Sequence, residues 1–238
     1  MKENLYTLAA GLIVLLTILL FTALLRGLRR GLQNARSGRR TLQVTGILLL
    51  LWLSVISVGA QVGFFGRFDT TPPRIMLVIA VPMVAIIALL FSKKFYAILL
   101  RIPPAWLFYL QSFRILMELI LWIGYKGGFV PIQMTFEWLN FDIIVGLTAP
   151  MAGFTFFGRR RFLRFEGVIW NIFGLALLLN IVTIALLSAP VLFRVFFNEP
   201  ANTFVAAWPF IWIPGFIVPT ALALHLFSLR QLLSRKLP

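Results

Sequence analysis

The sequence predicts an all-α integral membrane protein, a single domain over 1–238 folded as a bundle of seven transmembrane helices. The N-terminus lies outside and the C-terminus in the cytoplasm. Three observations carry this prediction. Hydrophobic residues make up 61% of the 238 and charged residues only 12%, with a mean hydropathy of +0.96, whereas a soluble domain is about half apolar and about one quarter charged. The apolar residues fall into seven runs near the ~20 residues that cross a bilayer. The basic residues are concentrated in alternate loops.

The runs lie near 5–25, 42–62, 75–91, 105–125, 141–157, 167–187 and 203–227. The first is longer than the roughly 7–15 residues of a signal-peptide core, and basic residues follow it rather than precede it, so it reads as an uncleaved signal anchor. The third and fifth are short. Between runs one and two stands RGLRRGLQNARSGRR with six arginines; Lys93, Lys94 and Arg101 separate three from four. GRRRFLR separates five from six, and Arg230, Arg235 and Lys236 follow run seven. Sixteen basic residues thus share one side, against five on the other, Lys2, Arg67, Arg74, Lys126 and Arg194. Cytoplasmic loops retain Lys and Arg, which sets the orientation and suits a bacterial inner membrane or a plasma membrane. The net charge of +15 then belongs to loops that meet anionic lipid headgroups rather than nucleic acid. Assembly into an oligomer is compatible with such a bundle.

The chain has no cysteine and one histidine, His225. This excludes disulfides, thiolate chemistry and multi-histidine metal or haem sites. No phosphate loop, HExxH or GxSxG is present, no nucleophile accompanies the carboxylates, and no cofactor or metal is expected. A membrane enzyme is the least supported class.

The fourth run carries the unusual chemistry. Gln111, Arg114, Glu118 and Tyr125 fall at offsets of 3, 7 and 14, one narrow stripe at 100° per residue. Arg114 stands about 13 Å beyond Ala105, near the bilayer midplane. A charge there costs about 2.5–3.5 kcal/mol on the insertion scale, so the stripe must face the bundle interior or a wet cavity. Neutralisation of Arg114 by Glu118 at i, i+4 is the simplest structural alternative, although base-before-acid is the weaker order. A second cluster, Glu137, Asn140 and Asp142, precedes run five. Asn140 reads as an N-cap there and Asp142 as a first-turn carboxylate favoured by the helix dipole. Asp142, Gly146, Ala149 and Gly153 share one face, whose small residues admit a close helix neighbour and allow Asp142 to reach the stripe of run four.

Pro209, Pro214 and Pro219 recur every five residues in run seven and predict kinks. His225 reads as an interfacial residue near the cytoplasmic boundary. Asn171 and Asn180 lie on opposite faces of run six, each positioned to bond a neighbouring helix.

Seven spans with an outside N-terminus are similar in topology to rhodopsin-like proteins, but the lysine that holds retinal in their last span is absent here. The topology also resembles the small sugar carriers built from two three-helix repeats, whose proline–glutamine motif is missing. The resemblance is topological and implies no activity. From the residues, the expected function is a small-solute transporter or channel. Its midplane site would comprise Gln111, Arg114, Glu118, Tyr125, Asp142, Asn140 and Glu137, taking an anionic substrate through Arg114 or coupling to protons. The alternative is a sensor or assembly subunit whose buried charges are structural.

Overall fold

The computed structural model describes residues 1–33, 37–158 and 162–234. The cationic Arg36, Arg159, Arg160, Arg161, Arg235 and Lys236 counted above lie outside the described residues. Helices run α1 Lys2–Gly31, α2 Gly38–Gln61, α3 Ile75–Phe91, α4 Lys93–Leu99, α5 Pro104–Leu110, α6 Phe113–Lys126, α7 Ile143–Phe157, α8 Arg164–Leu187 and α9 Val218–Leu232. A π-helical turn, Ile213–Ile217, leads into α9. No strand occurs among the described residues.

Among the described residues, five helical stretches are long and apolar enough to cross a membrane: α1, α2, α5 with α6, α8, and the π turn with α9. A sixth results if α3 and α4, bent by 82° at Ser92, count as one. The two short runs of the sequence became α3, with 17 residues, and α7, with 15. At 1.5 Å per residue α7 is about 22 Å long, less than the ~30 Å hydrocarbon core. The chain is thus a membrane-embedded helical bundle with five or six helices of spanning length.

The α5–α6 span and the π turn with α9 form the centre. Half or more of their apolar windows is buried (50% and 56%), against 17–28% in α1, α2 and α8. Around them, α1 packs on α6, α7 on α5 and α6, α8 on α9, and α3 on α9, while α2 lies outside against α1. Leu16, Ile56, Ile120, Phe210 and Ile217 knit these elements into one core.

The fourth predicted span is interrupted. Amides 111, 112, 114 and 115 each bond the carbonyl three residues earlier, a tightened turn that separates α5 from α6. The seventh is reorganised more deeply. Residues 207–211 form no α-helix, and the continuous helical part of the span, from the π turn at Ile213, ends at Leu232 rather than covering 203–227. Proline chemistry supplies the reason. Pro219 has no N–H, so the Gly215 carbonyl four residues earlier loses its helical donor. The Trp52 indole of α2 donates to that carbonyl instead, at 2.9 Å. Phe204, Val205, Phe210 and Ile211, displaced from the helix, still pack into the core.

At one end of the bundle the basic segments gather. Arg30 stacks over Trp106 at 4.3 Å. Arg230 donates to the carbonyls of Leu89 and Ser92 at 2.9 and 3.1 Å, which serves the backbone at the α3–α4 bend. Gln231 donates to Leu99 and Ile102 carbonyls. At the other end, Gln133 donates to Ser188 at 2.8 Å and accepts from Asn198 at 2.8 Å, which ties the α6–α7 connection to the segment after α8.

Candidate functional site

Four helices converge on Arg114. It sits in the first turn of α6, 1% exposed. Its Nε donates to Asp142 Oδ2 at 2.6 Å, and its Nη2 donates to Asp142 Oδ1. The pair is therefore bidentate, the geometry that a planar guanidinium favours with a carboxylate. Glu118, four residues along, makes no ion pair within 4.0 Å of Arg114 among the described residues. The i, i+4 neutralisation drawn from the sequence is thus replaced by a contact across 28 positions. The reason lies in α7. At Gly146 an added Cβ would stand 2.8 Å from the Ile115 amide nitrogen and 3.3 Å from the Arg114 carbonyl carbon. Only a glycine lets the two backbones approach that closely, and the approach delivers Asp142 to the guanidinium.

Asp142 precedes the first residue of α7, but its side chain makes no cap bond. Asn140 does not cap α7 in the expected way either. Its Oδ1 accepts from the Asp142 amide at 3.0 Å, a local turn that aims the aspartate inward. Its Nδ2 donates to both oxygens of Glu118 at 2.7 Å and to the Met134 carbonyl at 2.9 Å. Asn140 thus joins the carboxylate of α6 to the chain that presents Asp142.

The third partner of Arg114 is His225, whose Nε2 lies 2.9 Å from Nη1. Arginine can only donate, so Nε2 accepts and the proton resides on Nδ1. Nδ1–H then donates to Asn171 Oδ1 at 2.9 Å, and Asn171 Nδ2 donates to Ser228 Oγ at 3.0 Å and to the Gly167 carbonyl at 2.7 Å. His225 is fully buried rather than interfacial. The helix continues to Leu232, more than a turn past the expected end at Phe227, which places the histidine inside the bundle. Gly174 of α8 makes room for its ring: a side chain there would collide with it.

The other residues named from the sequence are distributed around this centre. Gln111 is 1% exposed and donates to the Ala221 carbonyl of α9 at 3.1 Å, while its Oε1 has no partner among the described residues. Tyr125 is half-buried, about 16 Å along the helix from Arg114, with Lys126 Nζ 4.8 Å from its ring centre. Glu137 is exposed and stands apart from the network. It accepts from Trp122 Nε1 at 2.6 Å and pairs with Lys126 at 3.0 Å. These contacts, Trp122 first and Lys126 second, hold its carboxyl below the ordinary glutamate range. Asn180, on the opposite face of α8 from Asn171, donates to the Leu139 carbonyl at 2.9 Å.

Three participants were not placed in the site from sequence: His225, Ser228 and Asn171, although Asn171 bonds a neighbouring helix, α9, as expected. A signal existed, since His225, Ser228 and Gln231 recur every three residues, a polar stripe on α9 comparable with that on α6.

The network borders a cavity of about 270 Å³ flanked by α3 and α8, with α6 and the π turn with α9 completing its wall. Ile79, Met83, Leu178, Val182 and Ile217 represent its walls. Arg114, Glu118, Asp142 and Asn202 supply the polar part, and every other lining residue is apolar. Among the described residues, no three His, Asp or Glu side chains form a set that could hold a metal ion. The chain matches no family model, no curated protein and no solved structure.

Proposed function

We propose that the chain is a small-molecule transporter of a bacterial inner or plasma membrane, with seven spans, the N-terminus outside and the basic loops in the cytoplasm. The substrate site is the cavity beside Arg114, Glu118 and Asp142. One observation carries this reading: three ionisable side chains buried between spanning helices border a cavity instead of being packed solidly against apolar side chains. Charges at such depth are expensive and commonly mark a pathway or a proton relay. The seven-span count takes α3 and α7 as short spans. Arg114 is held by Asp142 and His225, which favours the proton-coupled form of the reading over direct capture of an anion by the guanidinium. Glu118 is the carboxylate left for the coupling proton.

The completeness of the Asp142–Arg114–His225–Asn171–Ser228 chain supports a second reading, a sensor or assembly subunit in which the network is an interhelical lock. Proteoliposomes with an entrapped pH-sensitive dye, challenged with panels of amines, carboxylates and sugars, separate the two. Transport predicts chain-dependent flux for one class and its loss in Glu118→Gln with insertion and folding intact. Absence of flux across the panel, or full flux in both Glu118→Gln and Arg114→Ala, refutes it.

A further inference from the structure

The cavity's polar atoms are unequally satisfied, and the imbalance identifies what would complement them. Arg114 has one carboxylate, Asp142, matched to it by two hydrogen bonds. Glu118 is then a carboxylate in excess of the buried cations. Among the described residues its only hydrogen-bond donor is Asn140 Nδ2, reaching both oxygens. That amide has two protons and also serves the Met134 carbonyl, so Glu118 receives about one proton where an ionised carboxylate can accept roughly four. A second, independent observation lies in the same cavity. Asn202, 2% exposed, has a buried Oδ1 with no partner among the described residues, while its Nδ2 is used by the Ala185 carbonyl at 2.8 Å. Both unmet needs are acceptors. Nothing in the lining offers a free strong donor to an anion except the residual N–H groups of an arginine already paired.

We infer that the cavity binds a lipophilic amine: an apolar body lying between α3 and α8, carrying an ammonium group that pairs with Glu118 and donates hydrogen bonds to it. The apolar walls supply affinity for the body, at a volume near the lower end of ordinary small-molecule pockets. The excess carboxylate supplies the sign preference, since an uncompensated charge is tolerated at such depth only with a counter-charge or hydrogen-bond donors. This inference rests on reading the cavity as a ligand site and adds the chemical class of the ligand.

The test uses the full chain in nanodiscs of a neutral lipid, with radiolabelled n-decylamine as probe, empty nanodiscs subtracted, and unlabelled decylamine, decanol and decanoate as competitors. The expected result is saturable binding, with decanol at least tenfold weaker than decylamine and decanoate weaker still. Glu118→Gln should weaken decylamine at least tenfold and leave decanol nearly unchanged, which also shows that the variant is folded. Ile79→Trp, which fills the cavity from α3, should weaken both. Binding that does not saturate, decanoate competing as well as decylamine, or Glu118→Gln binding the amine like the parent chain overturns the inference. Decylamine binding without flux in proteoliposomes refutes transport and leaves the ligand class standing. Chain-dependent flux of a carboxylate or sugar with no amine binding does the reverse.

Discussion

Replacing Asp142 by asparagine removes the anion from a guanidinium that is 1% exposed and has no other carboxylate within 4.0 Å among the described residues. The side-chain volume hardly changes, so the effect is electrostatic. Breaking one side of a buried ion pair costs about 3–5 kcal/mol, because the remaining charge has neither water nor partner. His225 remains as an acceptor for Nη1, but a neutral ring does not balance the charge, so about 3 kcal/mol is the lower expectation. Glu118→Gln provides the contrast. It leaves the Arg114–Asp142 pair untouched, and its amide oxygen can still accept from Asn140, so its cost should stay near or below about 1 kcal/mol. Reversible denaturation in mixed micelles, followed by circular dichroism, measures both. A double-mutant cycle with Arg114→Met and Asp142→Leu should give a coupling energy of at least about 2 kcal/mol, and the Arg114–Glu118 cycle well under half of that. Equal costs for Asp142→Asn and Glu118→Gln, or a larger coupling to Glu118, would refute the pairing argued here.

Three further predictions follow from the same geometry. Gly146→Ala should destabilise by about 1–3 kcal/mol, an overpacking cost, because its Cβ meets the α6 backbone as well as the Ile115 side chain; the same denaturation assay measures it, and a neutral result would show that α7 can shift without loss. His225→Ala should cost about 1–3 kcal/mol through the unpaired Arg114 Nη1 and Asn171 Oδ1, and Gly174→Val should disturb the same site from the α8 side, both detectable as lowered unfolding midpoints. Glu137 makes a pH-dependent contribution of known sign: its folded pKa lies below the ordinary 4.5, so the stabilisation is present above that value and is lost as pH falls through the lowered folded one. Trp122 fluorescence should report this titration, Glu137→Gln should abolish it, and flux should not depend on Glu137.

Arg114 illustrates what can be read without coordinates and what cannot. That it faces inward follows from solvation alone, since lipid rejects a charge on the outside of a helix, and three of the four residues in its stripe are indeed buried deeply. Its partner was less accessible. Along one helix the nearest carboxylate was Glu118, and local spacing cannot see that Gly146 lets another helix come closer. The small-residue face of α7 carried that information in part, because it allowed Asp142 to reach the stripe of run four without deciding between Asp142 and Glu118 as the partner of Arg114. The prolines of the last span announced disruption, yet helical turns resume at Ile213, where the Trp52 indole of α2 serves the Gly215 carbonyl that Pro219 leaves without a donor. His225 was misplaced for the same reason: its depth depends on where the helix ends, and that end is held by Gln231 bonding the α4–α5 connection.

By itself, then, the sequence determined that this chain lives in a bilayer, which stretches are apolar enough to be helical there, and that its midspan charges point away from lipid. These properties depend on transfer free energies and helical periodicity, which act within a single segment. Only the tertiary structure decided that Arg114 belongs to Asp142, that His225 and Asn171 complete its shell, and that Glu118 is left beside an apolar cavity. Those outcomes depend on how closely particular backbones approach, a property of helix pairs that no single segment carries.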